Sequence, residues 1–235
     1  MKRIAIVLAG GRGSRMNNDI PKQYIEVLGK PLLYYALNSF EKSPCVDGIV
    51  LVVPDEDREY CVTNILSRYN ISKFMHFATA GEERYESVYN ALSSLNSINK
   101  KDLVLIHDGA RPCISLELIG KLIAKAEEKG NAVAAVPSKD TVKIVDDEGF
   151  CVNTPNRKYV WNTQTPQVFE YGLINTAYRI MMETDQAEDI TDDAMVMEKF
   201  GKQRVYLCEA DYFNIKVTTP EDIEVVERLL KKISK

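Results

Sequence analysis

The stretch that decides the fold lies near the start of the chain and reads Ile4-Ala5-Ile6-Val7-Leu8-Ala9-Gly10-Gly11. A short, continuous apolar run that ends in glycines is typical of a strand buried on both faces of a sheet. Three similar runs follow, and stretches of helical period lie between them. This alternation predicts an α/β fold with a mostly parallel, Rossmann-like sheet flanked by helices. The predicted strands are residues 4–9, 49–53, 103–106 and 132–136, and the predicted helices are residues 32–40, 58–69, 84–95 and 116–128.

Residues 138–161 interrupt this alternation and predict a projecting β-arm. Two β-like pieces, residues 141–145 and 159–161, flank the polar turn 146–149. A lone hairpin buries little surface, so we expect a partner subunit to cover it. After the arm, the patterns predict helices over 171–183 and 192–200, a strand pair over 204–208 and 213–217, and a last helix from Pro220.

The composition fits one soluble domain spanning residues 1–235. The chain has 34 acidic and 30 basic side chains, a formal charge of −4, which argues against a general nucleic-acid binder. Its five cysteines are scattered without a C-x-x-C pair, as expected of reduced thiols in a cytoplasmic protein. With only two histidines, a Cys/His zinc site is not expected. No apolar run approaches the ~18 residues of a membrane span.

The glycine-rich turn after the first strand predicts a phosphate site. Gly10, Gly11 and Gly13 let the backbone approach a ligand closely, and Arg15 and Lys22 add two cations suited to a polyphosphate. The run is not a P-loop, since no Gly-Lys-Ser/Thr follows, and it lacks the third glycine of a dinucleotide fingerprint. The alternative is a tight turn with solvated cations, which the added Arg and Lys disfavour.

Further along, other polar residues follow predicted strands, where ligand sites of α/β sheets form. Asp108 is one of them, although Asp108-Gly109 could also form a simple turn in which Arg111 pairs with a carboxylate. Lys216 is predicted on a strand face with Asn214, or as a solvated lysine on a sheet edge. Thr191 and the acids after it also suit a helix N-terminus. His107 is expected to be structural.

Taken together, the motifs resemble one family. L-A-G-G-x-G-x-R-M followed by P-K-Q is similar to the signature of sugar-nucleotide and related nucleotidyltransferases. The motifs H-D-G-A-R-P (107–112), Q-T-P-Q (164–167), T-D-D-A (191–194) and N-I-K-V-T (214–218) resemble those of the 2-C-methyl-D-erythritol 4-phosphate cytidylyltransferase family, in the same order over nearly the whole chain. The resemblance implies a nucleotidyltransferase domain that uses CTP, a polyol phosphate and Mg²⁺ in the non-mevalonate isoprenoid pathway. It also implies a homodimer joined through the 138–161 arm.

The resemblance implies roles for individual residues. The polyol phosphate would attack with an oxygen that is already anionic, so the reaction needs charge neutralisation and not a general base. Thr141 and Arg157 would reach the polyol phosphate of the neighbouring subunit, although Asn156 stands where the family commonly has Asp. The implied catalytic residues are Arg15, Lys22 and Lys216; the CTP contacts are Ala9, Gly10, Gly11, Gly13, Gly81, Glu82, Arg84 and Ser87; the substrate contacts are Asp108, Arg111, Thr141, Arg157, Thr165 and Thr191; and the metal ligand is Asp108.

Three other functions remain open at this point. A ribitol-5-phosphate cytidylyltransferase would share the glycine loop and the P-K-Q, Q-T-P-Q and N-I-K motifs. A nucleotide-binding regulatory module without turnover would keep the pocket, although the full set of cations argues against one. An NAD-dependent Rossmann enzyme is disfavoured by the missing third glycine.

Overall fold

A mostly parallel sheet runs through the centre of the molecule, and helices cover both of its faces. The computed structural model describes residues 1–11, 20–184, 186–187 and 189–233. A π-helical stretch, Val62–Ser67, directly continues the helix Arg58–Cys61, in keeping with the single helix predicted over residues 58–69. The elements are β1 (Arg3–Leu8), β2 (Glu26–Val27), β3 (Lys30–Pro31), α1 (Leu32–Lys42), β4 (Gly48–Val53), α2 (Arg58–Cys61), β5 (Phe74–Thr79), α3 (Arg84–Ser93), β6 (Leu103–Asp108), α4 (Leu116–Lys129), β7 (Asn131–Pro137), β8 (Ile144–Val145), β9 (Cys151–Asn153), β10 (Trp161–Glu170), α5 (Tyr171–Thr184), α6 (Asp193–Lys199), β11 (Leu207–Glu209) and α7 (Pro220–Ile233).

The order of the strands determines where a site can form. Within the described residues the main sheet has seven strands in the order β11-β7-β10-β6-β1-β4-β5. All neighbours are parallel except β10, which runs antiparallel to β6 and β7. Leu8, at the end of β1, pairs with Asp108 at the end of β6 and with Val52 near the end of β4. The glycine turn and Asp108 therefore leave the sheet side by side.

The central strands are continuous apolar runs because both of their faces are buried. One face packs against α1 and α4, where Leu37, Phe40 and Leu122 are fully buried. The other face packs against α3, α5 and α6, with Val88 and Tyr178 in its core. Among the described residues, no helix has the length and apolar character that crossing a membrane would require.

The four predicted strands are confirmed, but β5 and β10 were not predicted. The sequence of β10 does not predict a strand, because it contains Pro166, which cannot donate a hydrogen bond to a neighbouring strand, and a polar run before it. The pairing of β10 with β7 shifts register between Thr163 and Gln167, on either side of this proline. The long strand thus tolerates a residue that normally argues against one.

The arm is a hairpin, but its predicted second strand was wrong. Ile144–Val145 pairs with Cys151–Asn153, and Gly149 closes the turn with a positive φ of 89°. Residues 159–161 do not join this hairpin, because Trp161 begins β10 and pairs with Pro137. Residues 151–153 lie closer in the chain to residues 144–145 than residues 159–161 do, so pairing with them closes a shorter loop at lower entropic cost.

The predicted strand pair near the C-terminus was also wrong in its second half. β11 is a short strand parallel to β7, and no strand forms over residues 213–217. This segment instead crosses the carboxyl ends of the sheet. There the N–H of Val217 donates to the carbonyl of Ala110 at 2.9 Å. The helices predicted over 171–183, over 192–200 and from Pro220 are confirmed as α5, α6 and α7.

Candidate active site

A cleft of about 180 Å³ lies beyond the carboxyl ends of β1 and β6. We call it the first cleft. It combines the glycine turn, the start of α3 and the segment that crosses the sheet ends. Its described lining residues are Leu8, Ala9, Gly10, Gly11, Lys22, Gln23, Gly81, Glu82, Glu83, Arg84, Ser87, Asp108, Ala110 and Lys216.

The glycine turn is held close to the neighbouring strand connection. The N–H of Ala9 donates to the carbonyl of Val52 at 2.8 Å, which extends the sheet pairing by one residue. A Cβ placed on Gly10 would lie 2.4 Å from the Cβ of Ala80, so only glycine fits there. The amide of Gln23, a buried side chain, donates to the carbonyl of Ala9 at 2.7 Å. The predicted residues Gly13 and Arg15 lie outside the described residues.

Lys22 reaches the cleft from a single turn of 3-10 helix, residues Lys22–Tyr24. The buried Gln23 holds this turn against the end of β1 through its hydrogen bond to Ala9. Lys22 extends towards the segment that crosses the sheet ends. There its Nζ donates to the carbonyl of Val217 at 3.1 Å. The contact places Lys22 beside the backbone that carries Lys216, although the two regions are far apart in sequence.

The start of α3 forms another part of the cleft wall, close to the glycine turn. Glu83 and Glu86 form a capping box, which satisfies two backbone N–H groups at this helix end. The N–H of Gly81 donates to the hydroxyl of Ser87 at 2.9 Å, so this N–H is used within the protein. A Cβ on Gly81 would lie 2.3 Å from the Cβ of Glu86, which explains the glycine. Arg84 and Ser87 share one face of α3, because residues three apart on a helix lie on the same side.

Asp108 is the charged centre of the site. Its carboxylate lies 2.8 Å from Nζ of Lys216, 3.4 Å from Nε of Arg84 and 3.9 Å from Nε of Arg111. Burial alone would favour the neutral acid, but these cations hold the pKa of Asp108 well below its ordinary value. The carboxylate is therefore ionised at neutral pH and organises the cations around it. Lys216 lines this cleft, but its predicted place on a strand face was wrong, because no strand forms over residues 213–217.

A buried histidine fixes the backbone at Asp108. Nε2 of His107 lies 3.1 Å from the carbonyl of Arg111, so this nitrogen carries the proton. Nδ1 then accepts from the hydroxyl of Thr165, which itself accepts from the N–H of Asp108 at 3.0 Å. Burial lowers the pKa of His107 to about 4, so the ring is neutral at pH 7. His107 is fully buried and both of its ring nitrogens are used within the protein, which fits the structural role predicted for it.

A second cleft adjoins the first and shares part of its wall. Both clefts are lined by Arg84, Asp108 and Lys216. Predicted substrate contacts Arg111, Thr165 and Thr191 line the second cleft. Among the described residues it is bounded by Arg84, Asp108, Arg111, Thr163, Gln164, Thr165, Gln167, Thr191, Asp192 and Lys216.

Arg111 and Thr165, two residues that line the second cleft, differ in whether the protein already uses their polar atoms. Nε of Arg111 is buried without a hydrogen-bond partner among the described residues, while NH1 of the same guanidinium donates to the carbonyl of Asn214 at 2.7 Å. The hydroxyl of Thr165 is already engaged by Asp108 and His107. Arg111 therefore keeps donor capacity for an anion in this cleft, whereas the Thr165 hydroxyl positions Asp108.

Thr141 and Arg157 are not brought into either cleft of their own chain. Both are exposed, and NH1 of Arg157 donates to the carbonyl of Lys139 at 3.0 Å. Asn156 accepts a hydrogen bond from the N–H of Lys158 and so caps the short helix that carries Arg157. Their predicted contact with a neighbouring subunit stays a prediction.

Sequence reasoning missed several polar residues that support the site. Asp193, read as a helix-terminus acid, is fully buried and binds Arg84. Gln167 donates to the carboxylate of Asp192 and accepts from the N–H of Ala194, which ties β10 to α6. Asn214 donates to Gln164 and to the carbonyl of Thr165. All of them lie within the quoted motifs, so the signal was present, but their partners lie on other elements.

The described part of the chain holds no group of three or more His, Cys, Asp or Glu side chains that could form a metal cage. Asp108 is the carboxylate that lines both clefts. One carboxylate suits Mg²⁺, which commonly takes one or two protein carboxylates and completes its shell with phosphate oxygens and water.

Comparison with known proteins agrees with this geometry. The family model described as IspD: 2-C-methyl-D-erythritol 4-phosphate cytidylyltransferase matches residues 3–232. A protein of that name from Lachnospira eligens is 44% identical over 227 residues, covering 97% of this chain and 98% of the relative. Another from Clostridium novyi is 43% identical over 232 residues, covering 99% of this chain and 98% of the relative.

Solved structures give the same result. The crystal structure of 4-diphosphocytidyl-2C-methyl-D-erythritol synthase from Anaerococcus prevotii matches with a TM-score of 0.84 and 35% identity, covering 98% of this chain and 96% of that chain. The 2-C-methyl-D-erythritol 4-phosphate cytidylyltransferase of Francisella tularensis matches with a TM-score of 0.82 and 31% identity, covering 97% of this chain and 100% of that chain. The sequence match spans almost the whole chain, and the solved structures share its fold. The chain therefore belongs to the 2-C-methyl-D-erythritol 4-phosphate cytidylyltransferase family.

Proposed function

We propose that this chain transfers the cytidylyl group of CTP to 2-C-methyl-D-erythritol 4-phosphate in the non-mevalonate isoprenoid pathway. The products are 4-(cytidine 5'-diphospho)-2-C-methyl-D-erythritol and pyrophosphate. Membership of the family supports this activity. The observation that carries it is the pair of clefts that share Arg84, Asp108 and Lys216, because two anionic substrates need adjacent sites with common cations.

The reaction places its chemical demands on charge and position. An oxygen of the acceptor phosphate attacks the α-phosphorus of CTP, a new P–O bond forms, and the bond to the pyrophosphate oxygen breaks. The attacking oxygen is already anionic, so the site needs no general base. It must bring two repelling anions together and neutralise the charge that develops in the transition state.

The cations of the site meet this demand. Lys22, Arg84, Arg111 and Lys216 are the Lys and Arg side chains that line the two clefts in the described parts of the chain. Asp108 holds three of them before any substrate arrives, so they need little reorganisation. We assign Lys22 and Lys216 to the transition state, since both line the first cleft and Lys22 binds the carbonyl of Val217, the residue after Lys216.

The two clefts divide the substrates. We assign the first cleft to CTP, with Ala9, Gly10 and Gly11 beside the phosphates and the start of α3 on the cytosine side. We assign the second cleft to the polyol phosphate, with Arg111 and Thr191 in its wall. Arg15 and Gly13 are proposed to complete the triphosphate loop, as the family resemblance implies.

Mg²⁺ is proposed as the cofactor, with Asp108 as its protein ligand. The fit rests on the ionised carboxylate that lines both clefts. When bound, the ion would neutralise phosphate charge and align the triphosphate. Asp108 would hold the ion, and Lys216 and Arg84, which line both clefts beside it, would contact phosphate oxygens.

We propose further that the protein is a cytoplasmic homodimer. The arm supports a dimer because it leaves large apolar side chains exposed, among them Phe150 at 68% and Tyr159 at 75%. Thr141 and Arg157 would then serve the partner's polyol phosphate. All five cysteines are unpaired, as a reducing compartment requires.

The test is to measure pyrophosphate release by the purified protein with CTP, Mg²⁺ and each of two acceptors. We expect turnover with 2-C-methyl-D-erythritol 4-phosphate and little with ribitol 5-phosphate. Preference for ribitol 5-phosphate would replace the proposed acceptor. Binding of CTP without pyrophosphate release from either acceptor would instead indicate a regulatory module and refute the proposal.

A further inference from the structure

Asp193, the first residue of α6, is a carboxylate buried without any exposed surface. It accepts two hydrogen bonds from the guanidinium of Arg84, at 3.0 Å from NH1 and 2.7 Å from NH2. It also accepts from the hydroxyl of Tyr178 at 2.6 Å. These partners come from α3 and α5, so one carboxylate joins three helices.

Capping of its own helix does not account for Asp193. The N-cap of α6 is Asp192, whose side chain accepts from the N–H of Met195 at 2.9 Å. The carboxylate of Asp193 accepts hydrogen bonds from Arg84 and Tyr178, and none from the backbone of α6. A buried charge is expensive unless it is paired, so its placement is determined by the guanidinium.

Arg84 stands between two carboxylates as a result. The paired nitrogens NH1 and NH2 face Asp193, and Nε lies 3.4 Å from Asp108. A bidentate pair fixes the plane of a guanidinium, which a single contact does not. Without Asp193, Arg84 would be free to turn its NH1 and NH2 groups onto Asp108, where it would compete with Lys216 for the same carboxylate.

We propose that Asp193, oriented by Tyr178, is a positioning residue that holds Arg84 in the wall of the CTP cleft and keeps Asp108 accessible. This inference rests on the proposed cytidylyltransferase function. Asp193 touches no substrate and acts through Arg84. The residue directly follows Thr191 and Asp192, so the same helix start that borders the acceptor cleft also supports the nucleotide cleft.

The test compares Asp193→Asn with wild type, using titration calorimetry with CTP and Mg²⁺ and steady-state kinetics. Asparagine keeps the size of the side chain and removes its charge. We expect the Kd for CTP to rise at least ~10-fold, since charge-assisted bonds from a fixed donor are among the strong ones. We expect KM for the acceptor to change much less.

A double-mutant cycle separates positioning from general destabilisation. If Asp193 acts through Arg84, adding Asp193→Asn to Arg84→Ala should raise the Kd for CTP no further. The matched control is Met197→Ala, which removes a fully buried side chain from the same helix. It should lower the melting temperature and leave the Kd for CTP near the wild-type value.

The outcomes are distinct. If wild type turns over CTP and folded Asp193→Asn binds it normally, the positioning role is refuted while the proposed function stands. Additive effects in the cycle, or an equal loss in Met197→Ala, would also refute it. If wild type shows no turnover with either acceptor, the proposed function fails instead. Should Asp193→Asn not fold, Tyr178→Phe provides the test, with an expected ~2- to 5-fold rise in the Kd for CTP and an unchanged Kd as the contradicting result.

Discussion

Replacing Lys216 by alanine is the sharpest test of the shared charge centre. Lys216 lines both clefts, and its Nζ lies 2.8 Å from the carboxylate of Asp108. The substitution removes one cation from the place where the two substrates would meet. Asp108 keeps Arg84 and Arg111 as partners, so we expect the fold to survive the change.

The magnitude follows from the geometry. Two unit charges about 4 Å apart near a protein surface interact with about 4 kcal/mol, which corresponds to about 1000-fold in rate. Lys216 is 38% exposed, so solvent screens part of this interaction. Loss of one transition-state contact is commonly worth about 100-fold or more, which is about 2.7 kcal/mol. We therefore expect kcat to fall at least ~100-fold, with a much smaller change in KM for CTP.

The assay is pyrophosphate release, supported by single-turnover measurements that separate chemistry from product release. Lys101→Ala is the matched control, because Lys101 also pairs with a carboxylate at 2.8 Å, that of Glu170. Lys101 lies just before β6, whereas Asp108 is the last residue of that strand, so the control substitution lies at the opposite end of the strand. A Lys216→Ala protein that keeps near-normal kcat would refute the role assigned to Lys216.

Three more predictions follow from the same structure. Lys22→Ala should also lower kcat at least ~100-fold in the pyrophosphate assay; near-normal turnover would exclude it from the transition state. Arg157→Ala should raise KM for the polyol phosphate far more than KM for CTP, and mixing it with Lys216→Ala subunits should restore some activity; no rescue would count against a site shared between subunits. Burial opposes the charge of Asp222, but hydrogen bonds from Thr218 and the adjoining backbone outweigh it and lower the pKa of this carboxyl. The stabilising effect of Asp222 is therefore fully present above the pKa of the unfolded chain, about 3.9, and disappears as pH falls through the lower pKa of the folded state. The unfolding temperature of wild type should then drop more steeply below about pH 4 than that of Asp222→Asn. Parallel plots of unfolding temperature against pH would contradict this account.

The elements that were predicted correctly carry local signals. A buried strand such as β1 is a continuous apolar run, and α4 has a serine cap at Ser115 and a glycine at Gly130 in the left-handed conformation. Such signals act over a few residues, and tertiary packing only reinforces them. The family motifs are also local strings, which is why they identify the chain before any coordinates exist.

The missed elements depend on partners elsewhere in the chain. β10 carries Pro166 and becomes a strand because β6 and β7 offer edges on both sides of it. Residues 213–217 have the pattern of a strand but pair with no strand among the described residues, and they cross the sheet ends, where the N–H of Val217 donates to the carbonyl of Ala110. Propensity is a weak prior in both cases, and pairing decides.

The sequence by itself determined the α/β class, the glycine turn, the family and the residue types that carry charge. Only the tertiary structure decided which of those charges meet. Lys22 binds the carbonyl of Val217 across 195 positions, and Arg84 binds Asp193 across 109. These contacts exist because parallel pairing brings the carboxyl ends of β1 and β6 to one edge and packing lays α6 beside α3 and α5. The physical reason is range: periodicity and turn chemistry act between neighbours in the chain, whereas the meeting of distant charges depends on the order in which strands and helices pack.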